Sequence, residues 1–437
     1  MVRRSDFPES FLFGVATSSY QIEGGIEERS PSIWDEFSHT PGKICCDHTG
    51  DVAVDHYHRY DEDVDIMAWI GLEAYRFSIS WPRVMENGLR FYPKGFDFYD
   101  RLVDLLLEKN IEPVITLYHW DLPLELHRRG GWLNPDVALW FRDYAGEMFQ
   151  RLGDRVRIWI TLNEPWCSAF LGYFFGVHAP GHRSLQEAIT TAHNLLRAHG
   201  HAVRTFREVG VKGEIGLTNV TVWIEPASDS EEDIRTALLV DQATNGWFHE
   251  PVITGEYPKD FRTVLEERGI RVPDDDMDVI RERIDFFGAN YYTRRIVAFD
   301  PTSELGFRDV EGPGPKTDMG WEIYPEGLYR VLSKLYRDYG LPIYVTENGI
   351  AGPDVLKDDS VEDDYRIDFI REHIEQLYAA LKEGVDVRGY FVWTLMDNFE
   401  WAHGYSKRFG IVYVDYDRNL RRIPKKSAEW LKKWLKT

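Results

Sequence analysis

Eight short apolar runs, rich in β-branched and aromatic residues, alternate along the chain with longer amphipathic stretches. The runs predict strands at Phe11–Ser19, Ala74–Trp81, Pro113–Trp120, Val156–Asn163, Gly213–Val220, Asp285–Tyr292, Pro342–Glu347 and Gly389–Met396. Apolar residues at i, i+3 and i+4 predict helices at Tyr60–Ile70, Gly95–Lys109, Pro135–Leu152, Leu185–Val209, Glu231–Trp247, Glu326–Tyr339 and Asp363–Lys382. Eight strands alternating with helices is the count of a (β/α)8 TIM barrel. We therefore expect an α/β fold of this kind.

No low-complexity linker divides the 437 residues, and a barrel of this type can reach more than about 400 residues as one unit. We expect a single (β/α)8 barrel over residues 1–437, with long βα loops over the active site. The sixth connection is expected to be such a loop, because residues 297–320 are rich in Gly and Pro and show no helical period.

Acidic residues outnumber basic ones by 73 to 51, which gives a net charge of −22. Such a surface repels phosphate backbones and anionic lipids, and this argues against nucleic acid and membranes as partners. We find no export signal and no apolar run of roughly 18 residues, so a cytoplasmic protein is expected, as a monomer or a homo-oligomer. The basic run Arg418–Arg422, followed by Lys425 and Lys426, is expected to be solvated.

Three cysteines, Cys45, Cys46 and Cys167, are too few for a disulfide framework. Cys45 and Cys46 stand near His39 and His48, but adjacent cysteines are poor co-ligands and no Cys-x-x-Cys spacing is present. We therefore expect no metal and no cofactor. Cys167 has no indicated histidine partner and is expected to serve packing.

The C-terminal ends of the strands are the catalytic face of a TIM barrel. Two of the predicted strands have a glutamate at their C-terminal end: Glu164 comes directly after the fourth strand, and Glu347 is the last residue of the seventh. In a closed barrel these positions lie across the mouth from each other. A pair of carboxyl groups, one protonated and one ionised, is what glycosidic bond cleavage requires.

The motifs around these strand ends resemble those of glycoside hydrolase family 1, the β-glucosidase and β-galactosidase family. The glutamates stand in Ile160-Thr-Leu-Asn-Glu-Pro-Trp166 and Ile343-Tyr-Val-Thr-Glu-Asn-Gly349. Further matching segments, which spread the resemblance over essentially the whole chain, are Phe11–Gly24, Tyr75–Arg83, Thr116–Pro123, Asn290–Tyr292 and Trp393–Phe409.

The resemblance implies a retaining β-glycosidase with Glu347 as nucleophile and Glu164 as general acid, then base. Arg76 and Tyr292 would donate to Glu347 and favour its ionised form, while the charge of Glu347 would hold the proton on Glu164. Asn163 would bind the sugar 2-hydroxyl. Such retention requires carboxyl groups only about 5–5.5 Å apart.

The resemblance also implies a set of substrate-binding residues. Those for the terminal sugar are Gln21, His119, Trp120, Asn290, Trp393, Glu400, Trp401 and Phe409, and those at the entrance are Trp166 and Trp321. Members of the family that act on 6-phosphorylated sugars carry a Ser/Lys/Tyr cradle where this chain has Glu400 and Trp401. A non-phosphorylated β-O-glycoside is therefore the implied substrate.

Three interpretations of these residues stay open. The first is hydrolysis of terminal β-D-glucosyl, galactosyl or fucosyl residues from small O-glycosides and oligosaccharides. The second is transglycosylation, which uses the same residues and differs only in the acceptor of the intermediate. The third is a non-catalytic sugar-binding barrel, which predicts the loss of a catalytic glutamate, whereas both Glu164 and Glu347 are present.

Overall fold

The computed structural model describes residues 2–303 and 305–437, and its centre is a closed barrel of eight parallel strands. Met1 and Glu304, which fall within the predicted barrel range and the predicted sixth loop, lie outside the described residues. The strands are β1 (Leu12–Ala16), β2 (Ala74–Ser78), β3 (Glu112–Tyr118), β4 (Ile158–Asn163), β5 (Glu214–Val220), β6 (Phe286–Asn290), β7 (Ile343–Asn348) and β8 (Val387–Trp393). Each strand pairs with its neighbours in chain order, and β1 closes the barrel against β8. The predicted (β/α)8 fold and its eight strands are confirmed.

Helices surround the barrel between successive strands. The longer ones are His56–Ile70, Pro93–Glu108, Val137–Leu152, Leu185–Val209, Glu231–Asp241, Trp247–Thr254, Lys259–Glu267, Pro325–Tyr339, Asp364–Lys382 and Lys426–Trp434. Shorter helical segments include Ser19–Ile22, Ile33–Ser38, Trp81–Val84, Leu124–Arg128 and Met277–Ile280. The predicted helix Glu231–Trp247 is interrupted by a π-helical turn at Gln242–Gly246.

The helix Leu185–Val209 shows how the sequence sets these elements. Ser184 caps its N-terminus by accepting a hydrogen bond from the backbone of Glu187, and Gly210 ends it at a left-handed φ of 80°. Its buried face packs on the helix Val137–Leu152. The period of the apolar residues thus places them on one face of the helix, which is buried against the neighbouring elements.

The barrel interior is filled by side chains rather than open. Phe286, Tyr344, Phe391 and Trp393 pack there with smaller residues of the other strands. A Cβ on Gly14 would lie 2.8 Å from the ring of Phe391, so glycine at this position makes room for the ring. The packed interior supports the strand ends on which the polar residues stand.

The sixth connection differs from the predicted loop over 297–320. It contains the strands Arg294–Phe299 and Phe307–Val310, which pair with each other, and the first also pairs with Trp223–Pro226. The Gly and Pro residues of this segment hid the extended pattern, and one of the two partners of Arg294–Phe299 lies about 70 residues earlier in the chain. Two further short hairpins pair Met85–Glu86 with Arg90–Phe91 and Val412–Asp415 with Arg421–Pro424.

The basic run near the C-terminus is not uniformly solvated, contrary to expectation. Lys425 is buried, and its Nζ lies 2.5 Å from Asp354 Oδ2 and 2.7 Å from Asp397 Oδ1. Arg422 is buried against Asp63 at 2.9 Å. Both side chains pair with carboxylates from distant parts of the chain, which offsets the cost of their desolvation.

Across residues 2–303 and 305–437, no helix has both the length and the apolar character needed to cross a lipid bilayer.

Candidate active site

The two strand-end glutamates stand on opposite sides of the barrel mouth. Glu347 belongs to β7, and Glu164 follows the last residue of β4. Both side chains are almost fully buried. Asn290, at the end of β6, donates from Nδ2 to Glu164 Oε1 at 2.8 Å and to Asn163 Oδ1 at 3.0 Å. The Asn290 amide therefore joins Glu164 to Asn163, the residue that precedes it in the chain.

Glu347 is held by two donors. The Arg76 Nη1 lies 2.7 Å from its Oε1, and the Tyr292 hydroxyl donates to its Oε2 at 2.6 Å. Arg76, on β2, is fully buried and also donates to Asn163 Oδ1 at 2.6 Å. The guanidinium is thus fixed between Glu347 and the residue that precedes Glu164.

Glu164 has weaker partners. Apart from Asn290, its carboxyl group accepts a hydrogen bond from the Cys167 thiol, with Sγ 3.1 Å from Oε2. The hydroxyl of Thr346 donates to Asn290 Oδ1 at 2.7 Å, which turns the amide nitrogen of Asn290 toward Glu164. No cation is in direct contact with the carboxyl group of Glu164 among the described residues.

These contacts give the two carboxyl groups different electrostatic environments. Burial, and then the charge of Glu347, raise the pKa of Glu164 to about 7. Burial also raises the pKa of Glu347, but the charge of Arg76 and the hydrogen bonds from Tyr292 and Arg76 oppose that effect. The proton that the pair holds near neutral pH therefore belongs on Glu164, and Glu347 carries the charge.

A polar wall continues from this pair. Gln21 donates from Nε2 to the Phe399 carbonyl at 2.8 Å and lies 3.5 Å from Glu400 Oε2. His119 accepts from the Asn163 amide at its Nε2, 3.0 Å away, and its buried Nδ1 has no hydrogen-bond partner within the described part of the chain. Burial holds the pKa of His119 well below its usual range, so the ring is neutral and Nδ1 can donate to a ligand.

Aromatic rings form the rest of the wall. Trp120 and Trp401 pack with ring centroids 4.5 Å apart, and the His119 ring lies nearly parallel to Trp393 at 5.9 Å. On the side of Glu347, Tyr292 contacts Trp321 at 5.3 Å and Phe409 at 6.1 Å. The half-buried Trp166 lies two residues after Glu164, and its ring stacks on Phe170 at 5.4 Å. With Trp166 at its edge, the structure brings the predicted site residues to one end of the barrel.

Known proteins are similar to this chain over nearly its whole length. The model of glycosyl hydrolase family 1 matches residues 3–437. The chain belongs to glycosyl hydrolase family 1. It is 51% identical to Beta-glucosidase A of Thermotoga maritima over 433 residues, which cover 97% of this chain and 96% of the relative. It is also 51% identical to the 1,4-beta-D-glucan glucohydrolase of Thermotoga neapolitana over 430 residues, 97% of each chain.

A solved structure of the family 1 β-glucosidase from Thermotoga maritima superposes with a TM-score of 0.95 at 50% identity, covering 98% of both chains. The fold of family 1 therefore extends over nearly the whole of this chain, and the recognition of the family from its motifs is confirmed.

Three residues of this family 1 site adopt left-handed backbone conformations that side chains other than glycine seldom adopt. The φ angles are 77° for Trp120, 45° for Glu164 and 47° for Trp401. Each such residue costs on the order of 1–3 kcal/mol. The surrounding contacts hold them in place: Glu164 N donates to the Thr218 carbonyl at 2.8 Å, and Trp120 Nε1 donates to the Asn163 carbonyl at 2.9 Å.

Two features of the family 1 site were missed from the sequence. Cys167 packs in the core as expected, and its thiol also donates to Glu164. Its position three residues after Glu164, in the same turn, was the available signal. Asp397 accepts from Arg408 at 2.5 Å and from Lys425, and so ties the segment that carries Glu400 to the C-terminal region. Nothing in the sequence pairs these three residues.

The described residues contain no group of three or more His, Cys, Asp or Glu side chains arranged to hold a metal ion.

Proposed function

We propose that this family 1 enzyme releases terminal non-reducing β-D-glucosyl residues, and also galactosyl or fucosyl residues, from small O-glycosides and oligosaccharides by double displacement. The observation that carries the proposal is the unequal environment of the two buried carboxyl groups. Glu347 has an arginine and a phenol as donors, whereas Glu164 has an amide and a thiol. One group is set to stay ionised and the other to keep its proton.

In the first step, the Glu347 carboxylate attacks the anomeric carbon, while the Glu164 proton passes to the leaving oxygen. The product is a glycosyl ester on Glu347 and a free aglycone alcohol. Ester formation removes the negative charge that raises the pKa of Glu164. Glu164, now ionised, takes a proton from water, whose oxygen attacks the anomeric carbon and releases Glu347. A sugar alcohol in place of water would give transglycosylation, the alternative with the same residues.

The terminal sugar is proposed to bind between the polar wall and the aromatic rings. Gln21, Glu400 and the free Nδ1 of His119 supply hydrogen bonds for hydroxyl groups, and Asn163 supplies the contact with the 2-hydroxyl. The remaining proposed sugar contacts are Trp120, Asn290, Trp393, Trp401 and Phe409, with Trp166 and Trp321 stacking on the aglycone.

The charge of the pocket favours an uncharged sugar. Burial and the charges of Glu347 and Glu164 raise the pKa of Glu400 to about 8. The ionised Glu347 therefore lies in a buried site whose other two carboxyl groups tend to hold protons near neutral pH, and its charge repels a sugar phosphate. A neutral sugar instead can donate a hydroxyl hydrogen bond to the oxygens of Glu400.

We also propose that residues 1–437 act as one catalytic domain, and that the protein works in the cytoplasm. The free thiols of Cys45, Cys46 and Cys167 support a reducing compartment. A non-catalytic sugar-binding barrel is disfavoured because both glutamates are present with the donors that the reaction needs.

The test is a panel of nitrophenyl β-glycosides, assayed with the wild type and with Glu347→Ala. We expect hydrolysis to be lost in the variant and partly restored by azide, which attacks the anomeric carbon from the vacated side and gives the α-glycosyl azide. An exposed substitution, Glu208→Gln, is the matched control and should hydrolyse at the wild-type rate. Wild-type hydrolysis by Glu347→Ala without azide would disprove the nucleophile assignment.

A further inference from the structure

Two adjacent thiols stand on the surface, in the short turn that leads into His48. Cys45 and Cys46 open the short turn Cys45–Asp47, both are exposed, and their Sγ atoms are 3.5 Å apart. The turn is fixed on one side by buried Ile44, and Cys46 has a left-handed φ of 61°. The hydrogen bond with Cys45 raises the pKa of the Cys46 thiol.

The separation of the sulfur atoms limits what can join them. The Cα atoms of neighbouring residues are about 3.8 Å apart, closer than the roughly 4.4–6.8 Å that a relaxed disulfide spans. A linear two-coordinate metal with bonds of about 2.3 Å needs sulfur atoms about 4.6 Å apart. Zinc needs four ligands, and the described residues offer no group of three or more His, Cys, Asp or Glu that could hold a metal ion.

A single atom with bonds of about 2.3 Å to both sulfurs would form an S–X–S angle of about 100° at the observed separation. That angle suits a pyramidal trivalent centre whose third position is taken by a group from outside the protein. Trivalent arsenic has this geometry and prefers soft sulfur ligands.

We propose that Cys45 and Cys46 form a bidentate binding site for trivalent arsenic compounds. With an organic arsine oxide, R–As=O, two As–S bonds form, the As=O bond breaks, and both thiol protons leave with the oxygen as one water molecule. Arsenic stays trivalent and no electron is transferred, so the step needs no oxidant or reductant.

Occupation of this site acts on sugar binding through His48, an inference that rests on the proposed function. His48 accepts from the Tyr405 backbone N–H at its Nδ1, 3.1 Å away, and packs so closely on Gly404 that a Cβ there would lie 2.4 Å from the His48 ring. The Gly404 carbonyl in turn accepts from the backbone N–H of Glu400 at 2.7 Å. A displacement of the turn Cys45–Asp47 is therefore passed to the segment that holds the terminal sugar.

The binding test treats the folded full-length chain with phenylarsine oxide and measures intact mass. We expect one adduct per chain that has lost one water and that survives an excess of 2-mercaptoethanol. Each single variant, Cys45→Ser or Cys46→Ser, should lose the adduct when 2-mercaptoethanol is added, because it holds arsenic by one As–S bond, which this thiol can displace. The dithiol 2,3-dimercaptopropanol should remove the adduct from the wild type. The buried Cys167 is an internal control for non-specific reaction.

An adduct on the double variant Cys45→Ser/Cys46→Ser, or equal retention by the single variants and the wild type, would overturn the site. The second arm measures nitrophenyl β-glucoside hydrolysis by the isolated adduct. We expect KM to rise at least threefold and to recover with the dithiol, with no response in the double variant. An adduct with unchanged KM would overturn the coupling, whereas failure of the proposed function would instead appear as no hydrolysis by the untreated protein.

Discussion

The proton on Glu164 depends on the charge of Glu347, and replacing Glu347 by Gln tests that dependence. The substitution keeps the size of the side chain and removes its charge. Over the separation of about 5 Å that a retaining pair requires, and with an effective dielectric constant of about 20, the lost repulsion is roughly 3.3 kcal/mol, or about 2.4 pKa units. Because burial is the larger cause of the raised pKa, it remains in the variant.

We therefore expect Glu347→Gln to lower the pKa of Glu164 from about 7 by about two units, leaving it above that of an exposed glutamate. The assay is carboxyl-carbon NMR of the protein labelled at glutamate, with the Glu164 signal assigned by its loss in Glu164→Gln. The exposed substitution Glu208→Gln should leave the titration unchanged. An unchanged pKa of Glu164 in Glu347→Gln would show that burial alone holds the proton and that the charge of Glu347 plays no part.

Three further predictions concern the pH dependence and the support of the site. In the wild type, kcat/KM should fall as the pH rises through about 7, because Glu164 then loses the proton it donates; a plateau to pH 9 would contradict its role as acid. Cys167→Ala removes a donor that lowers the pKa of Glu164, so the alkaline limb of the kcat/KM profile should move to higher pH, while Cys167→Ser, which keeps a donor, should move it less. Lys425→Met leaves two buried aspartates without the cation that they share. The free energy of unfolding, measured by urea titration, should fall by about 3–5 kcal/mol. Lys425→Arg, which keeps the charge, should lower it less, and equal losses in the two variants would mean that the charge is unimportant.

Much of the fold could be predicted because its signals are local. The run Ile158–Asn163 is apolar and short enough for a buried strand. Both predicted ends of the helix Leu185–Val209 are correct, with Gly210 directly after the apolar period. The positions of the two carboxyl groups could then be predicted from the barrel, because the active sites of this fold lie at the C-terminal ends of the strands.

The errors involved residues whose partners are remote in sequence. Arg294–Phe299 pairs with Phe307–Val310 on one side and with Trp223–Pro226 on the other, and the local Gly and Pro content could not indicate the second partner. Lys425 was expected in solvent because its run is basic, yet Asp354 and Asp397 surround it. A run of charges predicts a solvated face only when no opposite charges are folded onto it.

In the proposed double displacement, Glu347 attacks the anomeric carbon and Glu164 assists, so that two inversions restore the original configuration. The most direct measurement is proton NMR of the sugar released in the first minutes of nitrophenyl β-D-glucoside hydrolysis, before mutarotation. We expect β-D-glucose to form first and the α anomer to appear only as the solution equilibrates. Initial formation of α-D-glucose would mean a single displacement by water and would contradict the roles given to both glutamates.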